Sequence, residues 1–174
     1  MSSVVISGDT SGAITLAAPA VSGTNTATLP AATGVVMVSG NMPAFSAYLS
    51  ASQSITSGVL TKILIDTEIF DTNNNFASSR FTPTVAGYYQ VNGAVANGST
   101  TTATTVSINR NGTSVAQIAT TASNSSSSAS VLVYLNGSTD YVELYGALTG
   151  VSPQIYGTTN NQYTIFSASM VRTA

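Results

Sequence analysis

The acidic side chains are the main candidates for chemistry in this sequence, because the chain contains neither histidine nor cysteine. Catalytic triads and dyads built on a serine or cysteine nucleophile use a histidine base, so those mechanisms are excluded. Zinc sites with histidine or cysteine ligands are excluded for the same reason. Without cysteine there is also no disulfide framework and no thiol chemistry. Carboxylate chemistry is what remains to be weighed.

Asp66, Glu68 and Asp71 form one group of closely spaced carboxylates. Paired carboxylates can hydrolyse a glycosidic bond or hold a calcium ion. Asp66 and Glu68 would share a strand face, since side chains on a strand repeat with a period of two. A solvent-facing strand with Lys62 nearby explains the same pattern, and we favour that interpretation.

Two further acidic stretches are also interpreted as structural. Asp140 and Glu143 flank a predicted turn, and we expect them to face solvent. Asp9–Gly12 resembles the loop of an aspartic protease, but that mechanism needs a second loop whose Asp shares a proton. The sequence has no second loop of this kind, so we expect a turn between two short strands. We therefore predict no catalytic residue, no metal ligand and no cofactor, and expect the protein not to be an enzyme.

Six of the eight tyrosines are the remaining candidates for a binding surface. A tyrosine has a flat apolar face and a polar tip, so a group of tyrosines could stack on a sugar. Packing in the core and in a trimer interface is the interpretation that we favour. The six residues are Tyr88, Tyr134, Tyr141, Tyr145, Tyr156 and Tyr163.

The low charge content separates this chain from most soluble domains. Only 6% of its residues are charged, against roughly 25% in an average domain, whereas its hydrophobic content of 43% is ordinary. Serine, threonine, asparagine and glycine take the place of charges, and such uncharged surfaces suit a protein that sits in an assembly.

The basic residues also limit the possible partners. The net charge is −2, and the four basic residues are scattered along the chain. Nucleic-acid binding needs a clustered basic stripe that displaces counterions from phosphates, and anionic membranes attract similar clusters. We therefore predict neither nucleic acid nor membrane as a partner. The basic residues are Lys62, Arg80, Arg110 and Arg172.

The sequence has no sign of a targeting or membrane-spanning segment. The first six residues lack the basic start and continuous apolar stretch of a secretory signal. No apolar run approaches the roughly 20 residues of a transmembrane helix. We expect a soluble protein made in the cytoplasm of its host.

Short β-branched and aromatic runs broken by glycine, asparagine, serine and proline predict an all-β protein. Residues 1–41 form one predicted unit of short strands, and Asn41–Pro43 is read as a connector to residues 42–174. The first unit has too few apolar residues for a core of its own. Its expected strands are marked by Val4 and Ile6, by Ile14 and Leu16, by Thr26 and Leu29, and by Val35–Val38.

Longer strands are predicted after Pro43, at a spacing that indicates about eight strands in a sandwich or jelly roll. Tyr89, Val91 and Val95 are expected to share one face of their strand, and Gly87 is expected to lie in the turn before it. The first three of these strands are Phe45–Leu49, Lys62–Phe70 and Tyr88–Ala96.

The strongest local signal in the second half is Asn111-Gly112 between two alternating runs, which predicts a type I′ hairpin turn. A two-residue loop would place Ile108 opposite Val115. A serine-rich loop is expected at residues 122–130. The remaining predicted strands are Ser130–Leu135 paired with Tyr141–Gly146, and a final strand at Ile165–Val171.

The segment from Pro43 to Val171 resembles the jelly roll of the complement C1q and tumour necrosis factor families. The resemblance is carried by spaced aromatics around a glycine turn, by the Asn111-Gly112 hairpin, by a turn before a late strand, and by a closing Phe-Ser strand. Ala168 replaces the glycine of the closing strand, and Ser138-Thr139 intrude before Asp140. The matching stretches are Phe70-Asp71, Asn75-Phe76, Phe81, Gly87–Val91, Gly137–Leu144 and Phe166–Val171.

These resemblances imply a fold, an assembly and a function. Residues 42–174 are expected to form a C1q/TNF-like jelly-roll domain that packs as a homotrimer, with aromatic strand faces at the threefold axis. The stretch Ile6–Leu16, continued by Thr28–Gly34, resembles the N-terminal stretches of phage fibre and virion proteins. The expected function is a bacteriophage virion structural protein, a trimeric capsid decoration (cement) protein that contacts the major capsid protein or other virion proteins. The alternative is a short tail or head fibre whose jelly roll binds a host surface glycan.

Overall fold

A computed structural model describes residues 3–21, 23–28, 31, 33–160 and 162–174. Contacts between residues divide the chain into two compact units, residues 1–34 and 35–174. The described residues contain strands, turns and one 3₁₀ turn at Ser39–Asn41, with no α-helix among them. No helix in the described ranges is long and apolar enough to cross a membrane.

The first unit contains an antiparallel hairpin of β1 (Ser3–Ser7) and β2 (Ala13–Ala17). The register pairs Val4 with Leu16 and Ile6 with Ile14, so these four apolar side chains share one face. All four are more than half exposed. An isolated two-stranded hairpin is marginally stable in water, and this one has an apolar face that its own unit leaves uncovered.

The predicted turn at Asp9 is present, because the Gly8 amide donates to the Gly12 carbonyl across 3.0 Å. Two other predicted strands of this region are absent. Residues 26–28 and Val35–Val38 are not strands, since neither segment has a partner strand to receive its backbone hydrogen bonds. Leu29, which marked the former strand, lies outside the described residues.

The second unit is a sandwich of two antiparallel sheets. Sheet I has the order β12-β9-β15-β3-β6, and sheet II has the order β11-β10-β13-β8-β7 with β5 also paired to β13. A two-stranded ladder of β4 and β14 lies beside them. The strands are β3 (Ala44–Tyr48), β4 (Gln53–Ser54), β5 (Thr61–Lys62), β6 (Thr67–Asp71), β7 (Phe76–Ala77), β8 (Arg80–Phe81), β9 (Gly87–Val95), β10 (Thr101–Arg110), β11 (Thr113–Thr120), β12 (Ser127–Leu135), β13 (Val142–Gly150), β14 (Gln154–Ile155) and β15 (Ile165–Thr173).

Aromatic rings fill one end of the core between the two sheets. Phe45 stacks on Phe76 and Phe81 at centroid distances of 4.7 and 4.5 Å, and Phe166 meets Phe45 edge-on at 5.1 Å. Tyr89 is fully buried beside Phe81. Rings in these arrangements add packing energy beyond their buried area. The predicted face of Tyr89, Val91 and Val95 is confirmed as the core face of β9.

The stretch predicted as one strand at Lys62–Phe70 is two strands, which is a correction to the sequence analysis. The Ile63 amide donates to Leu144 of sheet II, and the Asp66 amide donates to Tyr48 of sheet I. The chain therefore crosses between the sheets at residues 63–66. The alternation of isoleucines spans this crossing, so Ile63 is buried whereas Ile69 is 45% exposed.

One predicted strand pairing and one predicted residue pairing are also wrong. β12 pairs with β9 in sheet I, whereas β13 pairs with β10 in sheet II, so the turn between them joins the sheets instead of closing a hairpin. The Asn111-Gly112 hairpin is confirmed, with positive φ angles of 51° and 81°. A bulge at Ile108 and Asn109, however, places Ile108 opposite Ala116 and not Val115.

Two smaller boundaries also differ from the predictions. Gly87 is the first residue of β9, where it pairs with Thr173 and Leu135, instead of lying in the turn before the strand. The serine-rich loop ends earlier than predicted, because β12 begins at Ser127.

Candidate assembly interface

The carboxylates weighed for catalysis or metal binding do not converge. Asp66 accepts hydrogen bonds from the amide and hydroxyl of Ser50 at 2.8 and 2.7 Å. Asp71 accepts from the amides of Asn73 and Phe76. Glu68 points to solvent on an edge strand. Across the described residues, no three acidic side chains gather where they could hold a metal ion. The carboxylates of Asp66 and Asp71 therefore stabilise the conformation of the neighbouring loops through these hydrogen bonds.

The expectation that Glu143 faces solvent is wrong. Its side chain is 4% exposed and pairs with Lys62 at 2.7 Å and with Arg80 at 2.9 Å. Lys62 therefore forms its ion pair with Glu143 and not with the carboxylates of Asp66, Glu68 or Asp71. Arg80 also lies over the Tyr141 ring at 3.7 Å, and the Tyr145 hydroxyl donates to Glu143 at 3.3 Å. This cluster joins β5, β8 and β13 on the outer side of sheet II.

Burial and charge act on the pKa values of this cluster in opposite directions. Burial works to raise the pKa of Glu143, but the hydrogen bonds and charges of Lys62 and Arg80 outweigh it and hold the pKa below its usual value. Burial, reinforced by the Glu143 carboxylate, raises the pKa of Tyr145. Glu143 is therefore ionised and saturated with donors at neutral pH, which suits an ion pair that holds strands together.

Asp140 lies apart from Glu143 and caps the turn between β12 and β13. Its carboxylate accepts from the Asn111 side-chain amide at 2.6 Å and from the Asn136 backbone amide at 3.1 Å. The Oδ1 atom of the Asn111 side chain accepts in turn from the Tyr141 backbone amide. The hairpin turn at Asn111 is thereby tied to the loop that links the two sheets.

The six tyrosines separate into three groups. Tyr141 and Tyr145 belong to the Glu143 cluster, as described above. Tyr88 and Tyr134 lie edge-to-face on sheet I with centroids 5.6 Å apart, and Tyr156 and Tyr163 lie 5.4 Å apart near the β4–β14 ladder. None of the six is fully buried, so the expectation of core packing is wrong for them. The fully buried tyrosine is Tyr89, whose hydroxyl donates to the Val85 carbonyl.

The outer face of sheet I is a broad surface with little charge that runs across all five strands of the sheet. The register brings its outward residues into four rows across the five strands. Arg172 carries the only charge among them, since Glu68 and Asp71 lie opposite core-facing residues of β3. The rows are Tyr134, Tyr88 and Arg172; Leu132, Gln90, Ser169 and Ala44; Ser130, Asn92, Ser167, Ser46 and Phe70; and Ser128, Ala94, Ile165, Tyr48 and Thr67.

Large apolar side chains stand at both margins of this outer face. Leu132 is 55% exposed on edge strand β12, and Phe70 is 47% exposed on edge strand β6. Tyr88 and Tyr134 are each 38% exposed, and Val171 is 52% exposed. Leu132, Tyr134 and Tyr88 are neighbours on β12 and β9, and a contiguous exposed apolar patch marks an interaction site in soluble proteins.

The middle of the face is polar, small and ordered. Gln90 donates from its side-chain amide to the Ser130 hydroxyl at 2.7 Å, and that hydroxyl donates to the side-chain Oδ1 atom of Asn92 at 2.7 Å. Shallow depressions of about 250 and 240 Å³ lie on either side of Asn92. Small residues on four strands line them, which leaves space for side chains of an opposing surface.

The Arg172 charge is partly offset within the same face. Its guanidinium carbon lies 5.5 Å from the Tyr88 ring centroid, within the distance at which a cation is attracted to a ring face. Chemically, this surface offers apolar contact and neutral hydrogen bonds and holds no nucleophile or acid–base pair. The period-two alternation of β9 and β12 marks Gln90, Asn92 and Leu132 as outward residues, and that signal alone would have identified them from the sequence.

Comparison with known proteins supplies fold relatives. No family model matches the sequence, and no curated protein matches it. Among solved structures, the globular domain of zebrafish complement 1qA protein covers 76% of this chain and 99% of its own, with 18% identity and a TM-score of 0.56. Murine APRIL covers 75% of this chain and 99% of its own, with 10% identity and a TM-score of 0.58. PRD1 vertex protein P5 covers 76% and 98%, with 17% identity and a TM-score of 0.55.

These likenesses establish the fold. The larger unit is an all-β jelly-roll sandwich of the C1q/TNF-like kind, as the sequence resemblance predicted, and it follows a short β-rich segment. The aromatic residues on which the resemblance was based occupy two different environments. Phe76, Phe81 and Tyr89 lie in the core, whereas Phe70 and Tyr88 point outward on sheet I.

Proposed function

We propose that the protein is a homotrimer in which the outer face of sheet I packs against two sister chains around a threefold axis. The observation that carries this proposal is the near absence of charge among the outward residues of the five strands, combined with exposed apolar side chains at both margins. Interface cores are depleted of charged residues and enriched in aromatics. The fold shared with C1q and APRIL domains supports the same assembly.

Packing of this face would remove apolar surface from water. Full burial of a leucine or phenylalanine side chain is worth about 1.5–3 kcal/mol, and about half of Leu132 and Phe70 is still exposed in one chain. Several such contacts per chain are needed to offset the loss of translational freedom. The apolar margins and the Tyr88–Tyr134 pair together supply them.

A charge placed on this face tests the proposal. Leu132→Glu introduces a carboxylate on edge strand β12, at the margin of the proposed interface. Packing against a sister chain would bury this charge, so the substitution should release monomers. Ile118→Glu is the matched control, because Ile118 is 50% exposed but lies on β11 of sheet II. We expect sedimentation to give three times the 17.6 kDa chain mass for the native protein and for Ile118→Glu. A native mass of one chain, or a trimer that tolerates Leu132→Glu, contradicts the proposal.

We further infer that this trimer is a phage virion structural protein, specifically a capsid decoration protein at the particle surface that is made in the host cytoplasm. The fold shared with PRD1 vertex protein P5 and the charge content of 6% support this role. A trimer can occupy local threefold positions of a capsid lattice and bridge several shell subunits. In this role the protein is not an enzyme, and its partners are its sister chains and the major capsid protein or another virion protein.

A short tail or head fibre that binds a host glycan is the second candidate. The exposed Tyr156–Tyr163 pair favours it, because neither tyrosine belongs to the four outward rows proposed for the trimer interface. Electron microscopy of the particle separates the two roles. Copies spread over the shell indicate decoration, and copies confined to the tail or to one vertex indicate a fibre.

We also propose that the two parts of the chain have separate roles. The N-terminal segment, residues 1–41, attaches to the virion, and residues 42–174 form the exposed trimeric head. The uncovered apolar face of the β1–β2 hairpin supports attachment through this segment. Three copies of the segment held by one trimer bind multivalently, so individually weak contacts give firm attachment.

A further inference from the structure

The Tyr156–Tyr163 pair is an exposed aromatic feature that does not belong to the four outward rows of sheet I. The two rings are tilted by 50° with centroids 5.4 Å apart. Tyr156 is 37% exposed and Tyr163 is 52% exposed. Among the described residues, neither hydroxyl has a hydrogen-bond partner, so both polar tips are free to contact a ligand.

The backbone around the pair is fixed, although the rings are exposed. The fully buried Thr164 hydroxyl donates to the Tyr156 carbonyl at 2.7 Å and accepts from the Ala96 amide at 3.1 Å. The Tyr156 amide donates back to the Ala96 carbonyl at 2.9 Å, and the Leu49 amide donates to the Thr164 carbonyl at 3.0 Å. Thr164 therefore locks the two tyrosine backbones in one arrangement.

Close packing holds the neighbouring loops in place as well. A Cβ at Gly98 would meet the Cα and Cβ of Tyr156 at 3.3 Å, so the loop lies tightly against the tyrosine and would have to shift by a few tenths of an ångström to admit a side chain. The Thr158 amide donates to the Leu49 carbonyl, and the Gly157 amide donates to the Ser52 hydroxyl. A site that is ordered before binding loses little entropy when a ligand arrives.

The surroundings of the pair are neutral and rich in hydroxyl and amide groups. Residues 49–60, 96–100 and 144–171 contain no charged side chain. Thr159, Asn160 and Gln162 are exposed between the two tyrosines in sequence. A phosphate or carboxylate ligand would find no cation here, whereas a neutral ligand with an apolar ring face and several hydroxyls would match the side chains present.

We propose that Tyr156 and Tyr163 form a subsite for a neutral carbohydrate, in which a pyranose ring stacks on a tyrosine face and its hydroxyls bond to the tyrosine tips and neighbouring amides. Each chain carries the whole pair, so the subsite does not depend on the trimer. In a trimer the three copies bind a repeating polysaccharide multivalently, which raises the apparent affinity.

Binding to immobilised polymers tests the subsite. Sensor surfaces are coated with the neutral polysaccharides dextran, mannan, laminarin and arabinogalactan, and with anionic hyaluronan and gelatin for comparison. We expect the intact protein to bind at least one neutral polysaccharide and neither comparison polymer. Tyr156→Ala and Tyr163→Ala should each weaken that binding roughly ten-fold through loss of ring contact, and Tyr163→Phe should retain most of it.

Ile118→Ala is the matched control, since Ile118 has nearly the exposed fraction of Tyr163 but lies on sheet II. Its binding should equal that of the native chain, and an unchanged melting temperature in every variant confirms folding. The proposal is overturned if no neutral polysaccharide binds, if only hyaluronan or gelatin binds, or if the tyrosine variants bind like the control. The sedimentation mass is measured separately, so a failed subsite leaves the trimer proposal intact.

Discussion

Glu143 links three separate strands of sheet II through one carboxylate. Lys62 on β5 and Arg80 on β8 both reach its Oε1 atom, so this oxygen holds two short strands against β13. The two cations remain 27% and 42% exposed, whereas the carboxylate is nearly covered. Loss of the carboxylate would leave two cations close together, which costs more than loss of one surface ion pair.

We expect Glu143→Gln to lower the free energy of unfolding by about 1–3 kcal/mol at pH 7, less than for a wholly buried pair because both cations keep contact with water. The pKa of Glu143 in the folded state is below the ordinary glutamate value of 4.5, because Lys62 and Arg80 donate hydrogen bonds to its carboxylate. Its stabilisation is therefore present above about pH 4.5 and is lost as the pH falls through the lower folded pKa.

Denaturant unfolding of both proteins between pH 7 and pH 3 measures this effect. The difference in stability between the native protein and Glu143→Gln should shrink as the pH falls, since glutamine does not titrate. A difference that stays constant over this range would show that the ionised carboxylate is not the source of the stability.

The location of this ion pair was not predictable from residue spacing. Lys62 lies close to Asp66 in the sequence, which favoured a local pair on one strand. The crossing of residues 63–66 between the sheets separates Lys62 from that group and brings it to Glu143, 81 positions away. Local patterns identify exposed and buried faces but not partners across sheets.

At the level of elements, the central strands of sheet I pack too closely for a side chain at Gly87. A Cβ at this position would collide with the Arg172 carbonyl oxygen of β15 and approach the Met170 methyl group at 2.8 Å. The constraint is the close approach of two backbones, and not the turn in which Gly87 was expected from the sequence. It depends on β15, which lies about 80 positions further along the chain and was not identified from local residues.

We expect Gly87→Ala to destabilise the fold by about 1–3 kcal/mol because β15 must shift to admit the methyl group. Gly40→Ala is the control, since a Cβ there would meet no atom within 4 Å. Thermal unfolding of the two variants measures the difference. Equal melting temperatures would contradict the close approach of β9 and β15.

The strands themselves were largely predictable, and their sheet membership was not. The alternation of apolar and polar residues predicted the core face of β9, and the Asn111-Gly112 pair predicted the hairpin turn. Both predictions succeeded because they depend only on residues close together in the sequence. The partners of β12 and β13 depend on how the sandwich closes, which adjacent residues do not encode. The resemblance to C1q and TNF domains predicted the jelly roll, but the pairing expected between β12 and β13 was still wrong.

At the level of the whole molecule, the two units differ in how they satisfy their apolar residues. The larger unit has a closed core, and Met37 already packs partly against it. The smaller unit presents Val4, Ile6, Ile14 and Leu16 on one exposed face. The expected division into residues 1–41 and 42–174 stays a prediction, and the separation of contacts after Gly34 gives the position for testing it by truncation.

We expect a chain that lacks residues 1–34 to remain a soluble trimer and to lose binding to particles that lack the native protein. The truncation leaves every strand of the sandwich and the packing of Met37 in place, so folding should be retained. Ile6→Ser with Ile14→Ser gives the same loss at full length, because these residues form one cross-strand pair on the apolar face. Val5→Ser with Thr15→Ser changes the paired positions on the opposite face and should leave attachment unchanged.

Occupancy is counted by electron microscopy of particles mixed with each purified protein. Native occupancy with the truncated chain would place attachment in the jelly roll, whereas equal loss from both double variants would mean that the hairpin fold matters and its apolar face does not.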